Sequence, residues 1–189
     1  APRARLDEER WIKDLFHQDE DVYVGKMFAS ILPALRKIKV QPVARFGLTD
    51  KERQDPNTSS VALVRALAVA GAAMSLPLMP LIYVRPNAPG GIQHVPSDPW
   101  ASLAGSGVLQ GMSPQDLQFL AGKHMAYYRN EHYVRTLFPT TTELTPLLLS
   151  AIKIAKPDFD VPQEVMPTAQ TLAQGMQSDP VNYEGLKKV

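Results

Sequence analysis

The stretch Ser113-Pro114-Gln115-Asp116-Leu117-Gln118-Phe119-Leu120-Ala121-Gly122-Lys123-His124-Met125-Ala126-Tyr127-Tyr128 decides how the chain is read. Ser113 suits the residue before a helix, Pro114 its first position, and Asp116 the reciprocal capping position. Leu117, Leu120, Ala121, His124 and Tyr128 then fall on one face at helical spacing. The pattern predicts a helix running from this cap to about Arg135.

Upstream, Val61, Leu63, Val64, Leu67, Ala68 and Ala72 predict a helix from about Ser59 to Ser75, small-residue-rich and suited to close packing. Leu81-Ile82-Tyr83-Val84-Arg85, bracketed by Pro80 and Pro86, reads as a strand. Asn87-Ala88-Pro89-Gly90-Gly91 is a turn whose glycines can supply positive φ. Short strands follow at Gly91 to Pro96 and Trp100 to Ala104, limited by Pro96 and Pro99 to short or edge positions. A small three-stranded sheet packed on helices is expected.

Further out, helices are expected over Asp7 to Phe16 and over Val22 to Ile38. The second carries the stripe Val24, Met27, Phe28, Ile31, Leu32, Leu35 and Ile38, with Pro33 positioned to kink it. Met27 and Phe28 read as core packing. Val40 to Thr58 reads as an irregular linker or ordered loop. Thr140 to Ala155, Pro162 to Gln177 and Asp179 to Lys188 read as helices. The expected class is α+β, mostly helical, with N- and C-terminal helical extensions. The expected division is 1–48 as a helical segment and 49–189 as the sheet-bearing domain.

Composition excludes several function classes. In 189 residues the hydrophobic fraction is 44%, the charged fraction 21% and the net charge +1. There is no basic surplus for nucleic acid, and Lys37, Lys39, Lys187 and Lys188 read as solvated helix ends. The absence of cysteine excludes disulfides, cysteine-based zinc knuckles and thiol catalysis. It weakly suits a reducing compartment, so a cytoplasmic location is expected. Ala1 to Asp14 is charged, so no signal peptide is read there. The apolar run from Val61 to Leu78 carries Arg65 and Pro77 and is too interrupted to span a bilayer. With no initiator Met before Ala1 and Lys187-Lys188-Val189 at the other end, the chain reads as a fragment or a processed product.

The order helix, strand, Asn87-Ala88 turn, strand, Gly107-Val108-Leu109 turn, and a helix opened by Asp116-Leu117 resembles the small gluzincin core. That core belongs to the zincin metallopeptidases related to the CAAX prenyl and heat-shock-type proteases. The resemblance covers roughly residues 59 to 135. It extends to a metal-free variant found in large bacterial proteins beside tetratricopeptide-like helices. There, segments like Ala126-Tyr127-Tyr128-Arg129-Asn130-Glu131-His132-Tyr133 and Arg135-Thr136-Leu137-Phe138-Pro139 are typical. Catalysis in that family uses Gly-His-Glu-Leu-Ala-His: two histidines hold zinc and the glutamate takes a proton from zinc-bound water. Here the His, Glu and His positions hold Lys123, His124 and Tyr127. A protonated lysine has no lone pair for a metal. The family's third ligand is a later glutamate; Glu143, Glu164 and Glu184 are available but lack partners for a site.

The remaining histidines do not rebuild a metal centre. His124 and His132, eight residues apart on the expected helix, would stand ~12 Å apart along its axis, too far for one zinc ion. His124 reads as a satisfied core or cleft residue, with Tyr128 and His132 as candidate cleft-lining neighbours. Gly105-Ser106-Gly107 lacks both the nucleophile-elbow and the phosphate-loop context. Tyr127, Tyr128 and Tyr133 read as core aromatics with hydroxyls at the edge.

The resemblance therefore implies a pseudopeptidase. It is expected to be a non-catalytic interaction or scaffolding module, with no metal, no cofactor, a protein or peptide partner, and no role on nucleic acid or membrane. The alternatives are an enzyme with rebuilt chemistry around Lys123 and His124, hydrolase-like if anything, and a rigid structural spacer.

Overall fold

The computed structural model describes residues 5–76 and 78–189. The Pro77 interruption and the reading of Ala1 as a cut edge lie outside the described residues. Among these, eight α-helices and six short strands make a mostly helical α+β protein. The chain divides into two compact units, residues 1–18 with 41–129, and residues 19–40 with 130–189. The boundary expected between residues 48 and 49 falls inside the first unit.

In the first unit, α1 (Glu8–Asp14) is capped by Asp7, whose carboxylate accepts from the Arg10 backbone N–H at 2.9 Å. It buries Trp11, over whose ring the Arg129 guanidinium lies at 4.3 Å. The sheet has four strands, where three were expected, in the order β2 (Arg53–Gln54), β3 (Leu81–Arg85), β6 (Ala101–Gly105), β4 (Ile92–Val95). β6 runs parallel to β3 and antiparallel to β4. Ala101–Gly105 is thus a central strand, and only Ile92–Val95 forms the edge expected of both. A separate parallel pair joins β1 (Gln41–Pro42) to β5 (Ser97–Asp98).

Residues 41–58 form the ordered loop of the two expected alternatives, and they cover the sheet. Val43, Phe46 and Leu48 pack on the sheet face carrying Leu81, Tyr83, Val95, Ala101 and Leu103. Glu52 fixes this cover by a two-pronged pair with Arg85, Nε to Oε1 at 2.6 Å and a second nitrogen to Oε2 at 3.1 Å. The Arg85 guanidinium, with backbone and hydroxyl bonds from Thr49, holds the Glu52 carboxyl at about 2.

The period-2 alternation of β-strands turns Ile82, Ser102 and His94, which are paired across the sheet, to the opposite face. α3 (Ala62–Ala73) and α4 (Pro114–Ala126) pack on each other in this unit. Gly71 of α3 makes room for two methionines: a β-carbon there would run into Met79 Sδ and would reach Met125 Cε of α4 at 3.0 Å. The expected long helix to Arg135 is broken. α4 ends at Ala126, and α5 (Asn130–Leu137) begins in the second unit. The last turn of α4 tightens to i→i+3 bonds, Tyr127 to His124 at 3.3 Å and Tyr128 to Met125 at 3.0 Å.

The second unit gathers α5, α6 (Thr141–Ala155), α7 (Met166–Met176) and α8 (Pro180–Lys187) around α2 (Val22–Lys39). Asp21 caps α2 through bonds to the Tyr23 and Val24 N–H groups. Ile31, Leu32, Ala34 and Leu35 are its buried positions. Lys37 is an exposed residue of the last turn of α2, as expected, and its ammonium donates to the Gly175 carbonyl and to Ser178 Oγ, closing the end of α7. No described helix is long and apolar enough to cross a membrane.

Candidate functional site

Strand register and helix spacing bring four polar side chains together. Cross-strand pairing puts His94 of β4 beside Ser102 of β6. Tyr128 follows His124 by four residues, in the i→i+3 turn that closes α4, and both reach the same sheet face. Ser102 Oγ lies 2.8 Å from His124 Nε2 and 2.8 Å from Tyr128 Oη. Tyr128 Oη lies 2.6 Å from the Ala101 carbonyl, and His94 Nε2 lies 2.9 Å from the His124 carbonyl. Ser102 and Tyr128 are wholly buried, and His124 is 4% exposed.

Counting protons fixes the direction of this network. A carbonyl only accepts, so the Tyr128 hydroxyl donates to Ala101. Its hydrogen used, Tyr128 Oη must accept from Ser102. The Ser102 hydrogen is then used as well, so Ser102 Oγ accepts from His124 Nε2–H. The chain runs one way, from His124 through Ser102 and Tyr128 to Ala101. By the same rule His94 Nε2 donates to the His124 carbonyl. That carbonyl belongs to the closing turn of α4, so the His94 imidazole acts as a side-chain cap reaching across from the edge strand.

This wiring excludes one reaction that the residue types alone would allow. A serine 2.8 Å from a histidine nitrogen suggests a nucleophile with its base. Here His124 donates to the serine and has no lone pair there to take its proton. Burial strongly disfavours an imidazolium as well. It lowers His124 to about 2, with the neighbouring His94 adding to the effect. Burial also lowers His94, partly offset by its bond to the His124 carbonyl. The two rings stack at 3.8 Å with 16° between their planes. Tyr127 meets His94 edge-on at 5.5 Å, and Trp100 packs on Tyr128 at 5.5 Å.

The expected site residues scatter around this centre. Lys123 is exposed and His124 is central. Tyr127 is a half-buried cap residue at the end of α4, and Tyr128 is a member of the network. His132 belongs to the second unit, where its Nε2 lies 3.5 Å from Glu20. Glu143 serves the capping box of α6 with Thr140, Glu184 pairs with Lys187 at 3.1 Å, and Glu164 is exposed. Among the described residues no three His, Cys, Asp or Glu side chains converge as a metal-holding group.

Sequence reasoning missed Ser102 and the role of His94. The signal available was the strand alternation, which sets both on the face of Ile82. Gly105-Ser106-Gly107 finds a structural use. The Ser106 and Gly107 N–H groups donate to the Ala88 and Gly90 carbonyls at 2.8 and 2.9 Å. A β-carbon at either glycine would lie 2.8–3.0 Å from backbone oxygens of residues 88–90. No protein-family model, curated protein or solved structure matches this chain.

Proposed function

We propose that the first unit is a non-catalytic, zincin-like pseudopeptidase domain that serves as a protein-interaction or scaffolding module within a larger assembly. One observation carries the reading: the imidazole on the site helix is a buried donor in a closed hydrogen-bond chain, so it works as a strut. The edge strand β4 lies beside that helix with β6 on its inner side. Ladder alternation, anchored by the Gly105 N–H bond to the Gly91 carbonyl, turns the backbone groups of Ile92 and His94 outward. Strand addition at that edge is the recognition mode such a module would use. The lack of cysteine suits a cytoplasmic setting. Rebuilt chemistry around Lys123 and His124 has less support, because Lys123 is exposed and His124 is held as a donor.

The test uses the full purified chain. Elemental analysis is expected to find far less than one zinc per chain, and peptide-library assays no hydrolysis above background. One tightly bound zinc, or turnover abolished by His124→Ala, overturns the proposal. Ile92→Pro removes an outward N–H and is expected to lose captured protein partners. An unchanged set of partners would favour a rigid spacer.

A further inference from the structure

We propose that the stacked His94–His124 pair is an acid-operated latch that holds edge strand β4 to the closing turn of α4 and releases it on protonation. The geometry is independent of the pseudopeptidase reading. His94 is the side chain that ties β4 to the His124 carbonyl, at 2.9 Å. β4 is otherwise laddered only to β6 within its sheet, so its release breaks one ladder and leaves the rest of the sheet paired.

Protonation leaves the existing bonds in place, since both rings already donate through Nε2. It acts by charge. A proton on either Nδ1 puts an imidazolium face to face with a second ring at 3.8 Å, within a largely desolvated site. Two protons would put like charges at that distance. The groups facing the pair are Ser102 from β6 and Tyr127 and Tyr128 from the turn that closes α4. Among the described residues no carboxylate, lysine or arginine pairs with either imidazole, so nothing compensates the charge. Burial holds both rings neutral while the latch is closed. Once β4 swings out, His94 meets water and regains an ordinary imidazole affinity for protons.

Linkage gives the size of the response. With an open-state pKa of about 6.5, taking the pH from 7.5 to 5.5 raises the open population by at most about tenfold if His94 alone is released. The limit is about a hundredfold if His124 is released with it. Native-state hydrogen exchange on the full chain, corrected for intrinsic rates, reads this directly. The ladder-bonded amides of Gln93 and Val95 and those of residues 124–129 are expected to open more at low pH, while those of Leu81–Arg85 hold. His94→Gln keeps a donor for the His124 carbonyl but cannot titrate, and it is expected to remove about one decade of the response. No acid response in the wild type, an equal response at Leu81–Arg85, or a full response in His94→Gln overturns the latch. Should His94→Gln fail to fold, NMR titration of His94 in the wild type decides the question. A pKa below 6.5 supports the latch, and one at or above 6.5 overturns it.

Discussion

Ser102→Ala tests the one-way proton chain most directly. Removing Oγ deletes the acceptor of His124 Nε2–H and the donor to Tyr128 Oη. The His124 N–H, in a side chain 4% exposed, is left without its partner, which costs about 1–3 kcal/mol. Losing the bond to Tyr128 adds about 1 kcal/mol. The expected destabilisation is therefore about 2–4 kcal/mol. Ser150 supplies the contrast: it is equally buried on α6, but its hydroxyl has no hydrogen-bond partner among the described residues. Ser150→Ala is expected to be neutral or stabilising by about 0.5 kcal/mol, helped by the helix preference of alanine. Both tryptophans of the chain, Trp11 and Trp100, lie in the first unit, so urea unfolding followed by fluorescence reports the Ser102 effect. Far-UV circular dichroism reports the Ser150 variant. A Ser102→Ala cost under about 0.5 kcal/mol would refute the argument. So would imidazole nitrogen shifts showing His124 protonated at Nδ1 in the neutral wild type.

The Glu52–Arg85 pair and the Gly107 contact give further tests. Glu52 is held at about 2 against an ordinary 4.5, so its stabilising pairing is complete above pH 4.5 and fades as pH falls toward 2. Glu52→Gln is expected to flatten the stability curve across that window, and an unchanged acid limb would contradict the pairing. Gly107→Ala places a β-carbon 2.8 Å from the Gly90 carbonyl oxygen. It should cost about 1–3 kcal/mol by overpacking, seen as a lower melting temperature.

Much of the fold was legible because local signals and tertiary packing agree. The cap read at Ser113 holds in the structure, and the helices expected from about Asp7, Val22, Thr140 and Asp179 prove to be capped by Asp7, Asp21, Thr140 and Asp179. The strand at Leu81–Arg85 and the apolar stripe of α2 follow from composition and period. The break between Ala126 and Asn130 did not, because Tyr127, Tyr128 and Arg129 carry no helix-breaking chemistry. The α4 terminus is marked by i→i+3 closure and by a carbonyl that His94 captures from thirty positions away. The site was half legible. His124 stood out as a polar residue on an apolar face, whereas Ser102 looks like any small strand residue until β6 is known to be central. Lys123 was the converse case: motif spacing singled it out, and the turn of the helix left it in solvent.

The interleaved units set an order on folding. The first unit is assembled from residues 1–18 and 41–129, and the second from residues 19–40 and 130–189. A chain emerging from its N-terminus makes α2 early, yet the helices gathered around α2 in its unit, α5 to α8, lie beyond residue 129. In the meantime the apolar stripe of α2 lacks the cover of those helices, while the segment that separates the halves of the second unit can fold as part of the first. Docking of α5 to α8 then closes a loop of about ninety residues, and the entropy of that closure is lower once the intervening segment is already compact. Cutting the chain at residue 48 would strip α1 and β1 from one unit and the central helix from the other.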